Sequence, residues 1–198
     1  MLLDLSGTLA SLLCTFYLIR LSRIAWILGL TANLINGWLY WHKGIYADTV
    51  LEVFYLVSTA YGWLKWQQSP AANRREIRSL SCNQWLMAGL AFVSLYVLIV
   101  IGLKHFTSTT VADLDALTTA LSLIAQVLMC HKVLESWLLW LVTDSVYAYL
   151  YWLKDLPFHV LLMIVYTGMA LTGYGIWIRQ QRMLQPSDPV ETALPYNG

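Results

Sequence analysis

The chain is short of charge. Only 12% of its 198 residues are Asp, Glu, Lys or Arg, against roughly 25% in soluble domains, which excludes an ordinary solvated surface. Twelve basic and 11 acidic residues leave a formal net charge of +1, too little for the positive field that nucleic-acid binding needs. Cys14, Cys82 and Cys130 are an odd set without zinc-type spacing, so they supply neither a disulfide framework nor a metal site. The histidines lack ligand-like spacing, and His42, His105 and His131 fall at span ends, where a structural role is expected. HExxH and GxSxG are absent, as is the phosphate-cradling Gly-x-x-x-x-Gly-Lys, so metalloprotease, hydrolase and directly ATP-driven readings lose their motifs. No metal, no cofactor and no enzymatic activity are expected. An intramembrane enzyme is the weaker alternative, and it would need a nucleophile–base pair that the spacing does not display.

Apolar residues make up 59% of the chain and the mean hydropathy is +0.59. Uncharged runs such as Ile24–Trp41 and Trp85–Leu103 reach the roughly 17–25 residues that cross a bilayer. The first run carries Asp4, with no basic start or clear cleavage site, and reads as a retained span. The expected fold is an all-α integral membrane protein with seven transmembrane helices. Spans are placed near 4–20, 23–42, 46–66, 84–104, 111–131, 134–153 and 156–178. Arg20, Arg23, Lys65, Arg74, Arg75, Arg78, Lys132, Arg179 and Arg182 then share one side, opposite Lys43, Lys104 and Lys154. The positive-inside rule puts the C-terminus in the cytoplasm and the N-terminus outside.

A gap-free shift of 111 residues superposes two parts of the chain. Trp26 falls on Trp137, Leu39-Tyr40-Trp41 on Leu150-Tyr151-Trp152, Lys43 on Lys154, Tyr55 on Tyr166, Gly62 on Gly173 and Trp66 on Trp177. Spans 1–3 and 5–7 are thus copies of one unit. The displacement is four spans, an even number, so both copies run in the same direction. Parallel three-helix repeats are a transporter architecture with the substrate near the midplane between them. The organisation expected is 1–66 first repeat, 67–83 cytoplasmic loop, 84–104 linker helix, 105–178 second repeat and 179–198 polar cytoplasmic tail. Span 4 has only Ser94 and Tyr96 as interior polar groups, so it should face lipid or another protomer.

The other spans carry polar-aromatic stripes. Residues at i, i+3 and i+7 share a helical face, which aligns Trp137, Trp140 and Asp144, with Tyr147 and Tyr151 continuing the row. Span 2 aligns Trp26, Asn33, Asn36 and Tyr40, and span 3 aligns Glu52, Tyr55, Thr59 and Trp66. Span 5 aligns Thr118, Ser122 and Gln126, and span 7 offers His159, Tyr166 and Gly173. Single hydroxyls such as Thr59 and Thr118 are commonly interhelical glue. Trp41, Trp63, Trp66, Trp152 and Trp177, near span ends, read as interface anchors. Glu52 and Asp144 find no basic residue inside any span, and intramembrane ionisable groups otherwise mark a substrate path. Five such faces imply a central polar cavity. A tryptophan face beside a carboxylate suits a flat cation.

On these residues the chain resembles the PnuC family of bacterial vitamin transporters. The resemblance rests on LEVFYLVSTAYGWLKW at 51–66, with its YGWxxW, and on WxxWxxxD at 137–144 followed by YLYWLK and GYGIW. It implies a SWEET-like homotrimer in the bacterial inner membrane, importing nicotinamide riboside for NAD synthesis by facilitated diffusion, with a cytoplasmic kinase trapping the substrate. Similar carriers of thiamine, also a cation, are the alternative. Asp144 stands where many riboside carriers have Asn, and Glu52 where Gln is frequent. The pyridinium ring is expected against Trp137, Trp140 and Asp144. The ribose and carboxamide are expected against Asn33, Asn36, Gln126, Ser122 and Glu52, with Tyr55, Tyr147 and Tyr166 completing the wall.

Overall fold

The computed structural model describes residues 2–42, 46–68, 76–106, 111–153, 155 and 157–184. They form seven helices: α1 (Leu2–Ile19), α2 (Ile24–His42), α3 (Tyr46–Gln68), α4 (Cys82–Phe106), α5 (Ala112–Cys130), α6 (Ser136–Leu153) and α7 (Pro157–Leu184). All seven expected spans are present, and α7 runs past residue 178 to Leu184. Lys43, Arg74, Arg75, Lys154 and the tail from residue 185 lie outside the described residues. Among the described residues α4, α5 and α7 are long and apolar enough to cross a membrane by length and hydropathy alone. Helices α2 and α6 also have spanning length, but their Asn, Asp, Trp and Tyr side chains lower the hydropathy. Of those residues Asn33, Asn36, Trp137, Trp140, Asp144, Tyr147 and Tyr151 face the inside of the bundle, where low hydropathy carries no desolvation cost against lipid.

The two repeats agree in fine detail. Adding 111 to the ends of α2 gives 135 and 153, and α6 spans Ser136–Leu153. Helix α1 ends in a Schellman-type turn, with Leu21 at φ 52° and a Ser22 N–H donating to Tyr17 O at 2.9 Å. Helix α5 ends the same way, with Lys132 at φ 55° and Val133 N–H donating to Leu128 O at 3.1 Å. Each residue of the second turn is the first shifted by 111. Packing follows the same symmetry: α3 lies on α5 and α7 on α1, contacts that interchange when the repeats are exchanged. Among the described helices α4 packs on α5 alone, and none of its residues is buried within the monomer.

The ends of α1, α3, α5 and α7 meet at one end of the bundle. The indole N–H of Trp66 donates to Cys130 O at 3.1 Å, and that of Trp177 donates to Ile19 O at 3.1 Å. These are again one bond in two copies. Trp26 meets Trp66 edge-on at 5.2 Å between ring centroids, Trp137 meets Trp177 at 5.5 Å, and Trp66 lies 6.4 Å from Trp177 across the repeat boundary. Trp66 and Trp177 are therefore not interface anchors. They are 2% and 0% exposed, since the repeat needs each indole to bind a helix end of the other half. Trp63 is half-buried against the same core. Trp41 and Trp152 are exposed on the bundle surface, where an anchor belongs. Segment 76–81 closes this end. Ile77 is buried in the tryptophan cluster, Arg78 forms a parallel bridge with Val133, and Gln181 donates to Ser79 Oγ at 2.9 Å.

Candidate functional site

Inside the six helices of the two repeats is a cavity of about 290 Å³, at the small end of the roughly 300–1,000 Å³ range of ligand pockets. Every one of those helices contributes to its wall. The helical stripes of α2 and α3 bring in Asn33, Asn36, Glu52, Tyr55 and Thr59, while α5 adds Gln126. From α6 come Trp137, Trp140, Asp144, Tyr147 and Tyr151, and from α7 Tyr166. Ten of the eleven residues expected from the sequence thus share one enclosure. The exception is Ser122. It is buried behind the wall, where its hydroxyl accepts a hydrogen bond from Tyr55 Oη at 2.8 Å and donates to Thr119 O at 2.9 Å. Its place is to fix Tyr55. Thr118, of the same stripe, also turns away and bonds Leu114 O and Asp115 O within its own helix.

Helix α1 was missing from the expected stripes, yet Ser11, Cys14 and Thr15 line the cavity. The repeat carried that signal. Ser11 and Thr15 are the counterparts of Ser122 and Gln126 at a shift of 111. Tyr166 hydrogen-bonds Ser11 as Tyr55 bonds Ser122.

The symmetry holds in backbone and breaks in chemistry. Gly29 in α2 stands where α6 has Trp140, Asn36 where it has Tyr147, and Asn33 where it has Asp144. Helix α6 therefore supplies an aromatic, anionic wall where its counterpart α2 supplies amides. Trp137 is held edge-on to Trp177 and flat over Gly173, at which an added Cβ would lie 2.7 Å from its ring. Tyr147 stacks on Tyr151 at 5.8 Å, and Tyr151 reaches His159 at 5.1 Å, so aromatic rings continue from the cavity along α6. No salt bridge among the described residues reaches Asp144, and no Lys, Arg or His is part of the described wall. Nor does any group of three His, Cys, Asp or Glu among the described residues stand where it could hold a metal.

A polytopic helical bundle with two parallel three-helix repeats and a polar cavity between them defines a membrane transporter. Residues 1–179 match the family described as nicotinamide mononucleotide transporter, and the chain belongs to it, a family of carriers and not of enzymes. The nicotinamide riboside transporter PnuC of Escherichia coli (strain K12) is 26% identical over 203 residues, covering 89% of this chain and 84% of that protein. Its namesake from Neisseria mucosa is 24% identical, over 87% of this chain and 70% of that one. A crystal structure of the vitamin B3 transporter PnuC has the same fold, with a TM-score of 0.74 over 91% of this chain and 82% of that one, at 22% identity.

Proposed function

We propose that this protein carries nicotinamide riboside across the bacterial inner membrane by facilitated diffusion, for NAD synthesis. The single observation that supports this most is the charge of the cavity. Asp144 lies in a wall that also holds Trp137 and Trp140 and no described basic side chain. A fixed pyridinium cation is attracted by this carboxylate and by both ring faces. The mononucleotide adds a phosphate, and a buried phosphate calls for Arg, Lys or a helix N-terminus. The wall favours the riboside over its phosphate ester. In this reading the ring lies against Trp137, Trp140 and Asp144. The ribose and carboxamide meet Asn33, Asn36, Gln126 and Glu52, with Tyr55, Tyr147 and Tyr166 completing the enclosure and Ser122 supporting Tyr55. Rocking of one repeat against the other around this fixed cavity provides alternating access. Titration of the purified protein with the riboside, its phosphate ester, thiamine and a neutral sugar tests the assignment. The riboside should bind best, and preference for the phosphate ester would overturn it.

No nucleotide-binding motif couples the chain to ATP. The family resemblance implies facilitated diffusion, so proteoliposomes loaded with unlabelled riboside should exchange labelled riboside without an ion gradient. Strict dependence on an imposed proton or sodium gradient would refute the facilitator reading and direct attention to Glu52 or Asp144 as the coupling group. Trapping by a cytoplasmic kinase then makes uptake directional. A homotrimer follows from the family resemblance, and the unburied helix α4 offers surface for it.

Orientation has a native reporter. Cys82 is exposed at the start of α4, on the side of segment 76–81, while Cys130 is buried. The Lys/Arg asymmetry puts that side in the cytoplasm. A membrane-impermeant maleimide should label Cys82 in inside-out vesicles and spare it in intact spheroplasts, with Cys82→Ser as the blank. Ready labelling in spheroplasts would reverse the topology.

A further inference from the structure

Thr59 stands out among the wall residues because two amides converge on it. Asn33 Nδ2 donates to Thr59 Oγ1 at 3.1 Å from α2, and Gln126 Nε2 donates to the same oxygen at 3.3 Å from α5. Thr59 itself is buried, at 4% exposure. A hydroxyl has one proton and two lone pairs, so it can satisfy two amide N–H groups but only one amide carbonyl. With both nitrogens turned to Thr59, the carbonyl oxygens of both amides point away from it. The methyl of Thr59 also lies toward α2, beside Gly29. A Cβ placed on Gly29 would lie 3.1 Å from Thr59 Cγ2 and 3.9 Å from Oγ1. β-branching leaves the hydroxyl little freedom thereafter. The counterpart of Thr59 in the second repeat is Ala170, and the counterparts of Asn33 and Gln126 are Asp144 and Thr15. The device, built from α2, α3 and α5, has no equivalent among their counterparts α6, α7 and α1.

We propose that Thr59 is a positioning residue that turns Asn33 and Gln126 into a paired set of carbonyl acceptors, so that this side of the cavity selects hydrogen-bond donors on the ligand. The inference rests on the riboside assignment, whose hydroxyl and carboxamide N–H groups are the donors concerned. Without the Thr59 oxygen, each amide is free to turn its NH2 inward, and the wall offers donors to donors. A structural role alone, as interhelical glue, predicts lost stability and no change in which ligands are preferred.

The test is calorimetric titration of the parent, Thr59→Val, Thr59→Ala and Thr59→Ser with three ligands. These are nicotinamide riboside, the riboside in which a methyl ketone replaces the carboxamide, and the 2′-deoxyriboside. Val keeps the shape and Ala reproduces the second repeat, so one of them reports if the other does not fold. Thermal unfolding in detergent shows which variants are folded. The expected result is a loss of about tenfold for nicotinamide riboside in Val or Ala, recovered in large part by Ser. The loss should be clearly smaller for at least one ligand that lacks a donor. An equal loss for all three ligands, or unchanged affinity in a folded Val or Ala variant, would overturn the role of Thr59 while leaving the riboside assignment intact. A parent that fails to bind the riboside would overturn the assignment itself, and this inference with it.

Discussion

Asp144→Asn should weaken riboside binding by about tenfold or more, each tenfold being about 1.4 kcal/mol. The substitution is close in volume, so packing against Trp137 and Trp140 is retained while the charge is removed and one acceptor oxygen becomes an NH2 donor. Asp144 is buried, at 9% exposure, and no described basic side chain offsets it. A cationic ligand then supplies the counter-ion that the described wall lacks. Two unit charges 4 Å apart gain about 1 kcal/mol in water and about 4 kcal/mol at an effective dielectric of 20, and a wall enclosed by six helices lies nearer the second limit. Trp140→Ala should also weaken binding, by about 1–2 kcal/mol of stacking and cation–π attraction. The control is an uncharged isostere in which carbon replaces the pyridinium nitrogen. It should bind the parent more weakly than the riboside does, and be almost indifferent to Asp144→Asn. A neutral, hydrogen-bonding acid at 144 makes the opposite prediction, because Asn then substitutes with little loss for either ligand. Calorimetric titration of both proteins with both ligands decides, and equal losses for the two ligands would sink charge pairing.

Much of this molecule can be read from periodicity because a membrane forces the reading. Backbone groups in a bilayer must bond within their own segment, so apolar runs become helices and their ends fall at charge and Pro. The sequence-based spans accordingly differ from the helices by a few residues at most boundaries. Stripes such as Trp137–Trp140–Asp144 were legible for the same reason, since a polar residue in a span must face inward. What stayed hidden were properties of pairs of helices. Ser122 shares a face with Gln126, yet Tyr55 covers it, and only the packing of α3 on α5 determines that. Trp66 and Trp177 have the composition of anchors. They are core residues because each indole N–H reaches the end of a helix in the other repeat. Thr59 looked like glue, and its bonds do join α2, α3 and α5. Its orientation toward two amides in one cavity wall is set by how α2, α3 and α5 pack together. The most informative unexploited signal was the 111-residue register itself, which places Ser11 and Thr15 beside the cavity once Ser122 and Gln126 are known.

The same register yields a paired experiment on Gly62→Ala and Gly173→Ala. Each glycine lies under the ring of the tryptophan one helix back. A Cβ on Gly62 would collide with Trp26, and one on Gly173 would come within 2.7 Å of Trp137. Both rings are almost fully buried and wedged against Trp66 or Trp177, so neither can yield without moving a helix. Overpacking of this kind costs about 1–3 kcal/mol, and by repeat equivalence both variants should lose a comparable amount of thermal stability in detergent. Their effects on binding should separate. Trp137 lines the cavity and Trp26 does not. Gly173→Ala displaces a plate of the ligand site and should weaken riboside binding by about tenfold, whereas Gly62→Ala should stay within about twofold of the parent. Unfolding temperatures and titrations on the two variants supply the comparison. Equal binding losses would show that the tryptophan cluster transmits strain across the repeat boundary through Trp66 and Trp177. Unchanged stability in both would show that α3 and α7 can shift away from their partners, and the close approach at glycine would then not be what holds each repeat together.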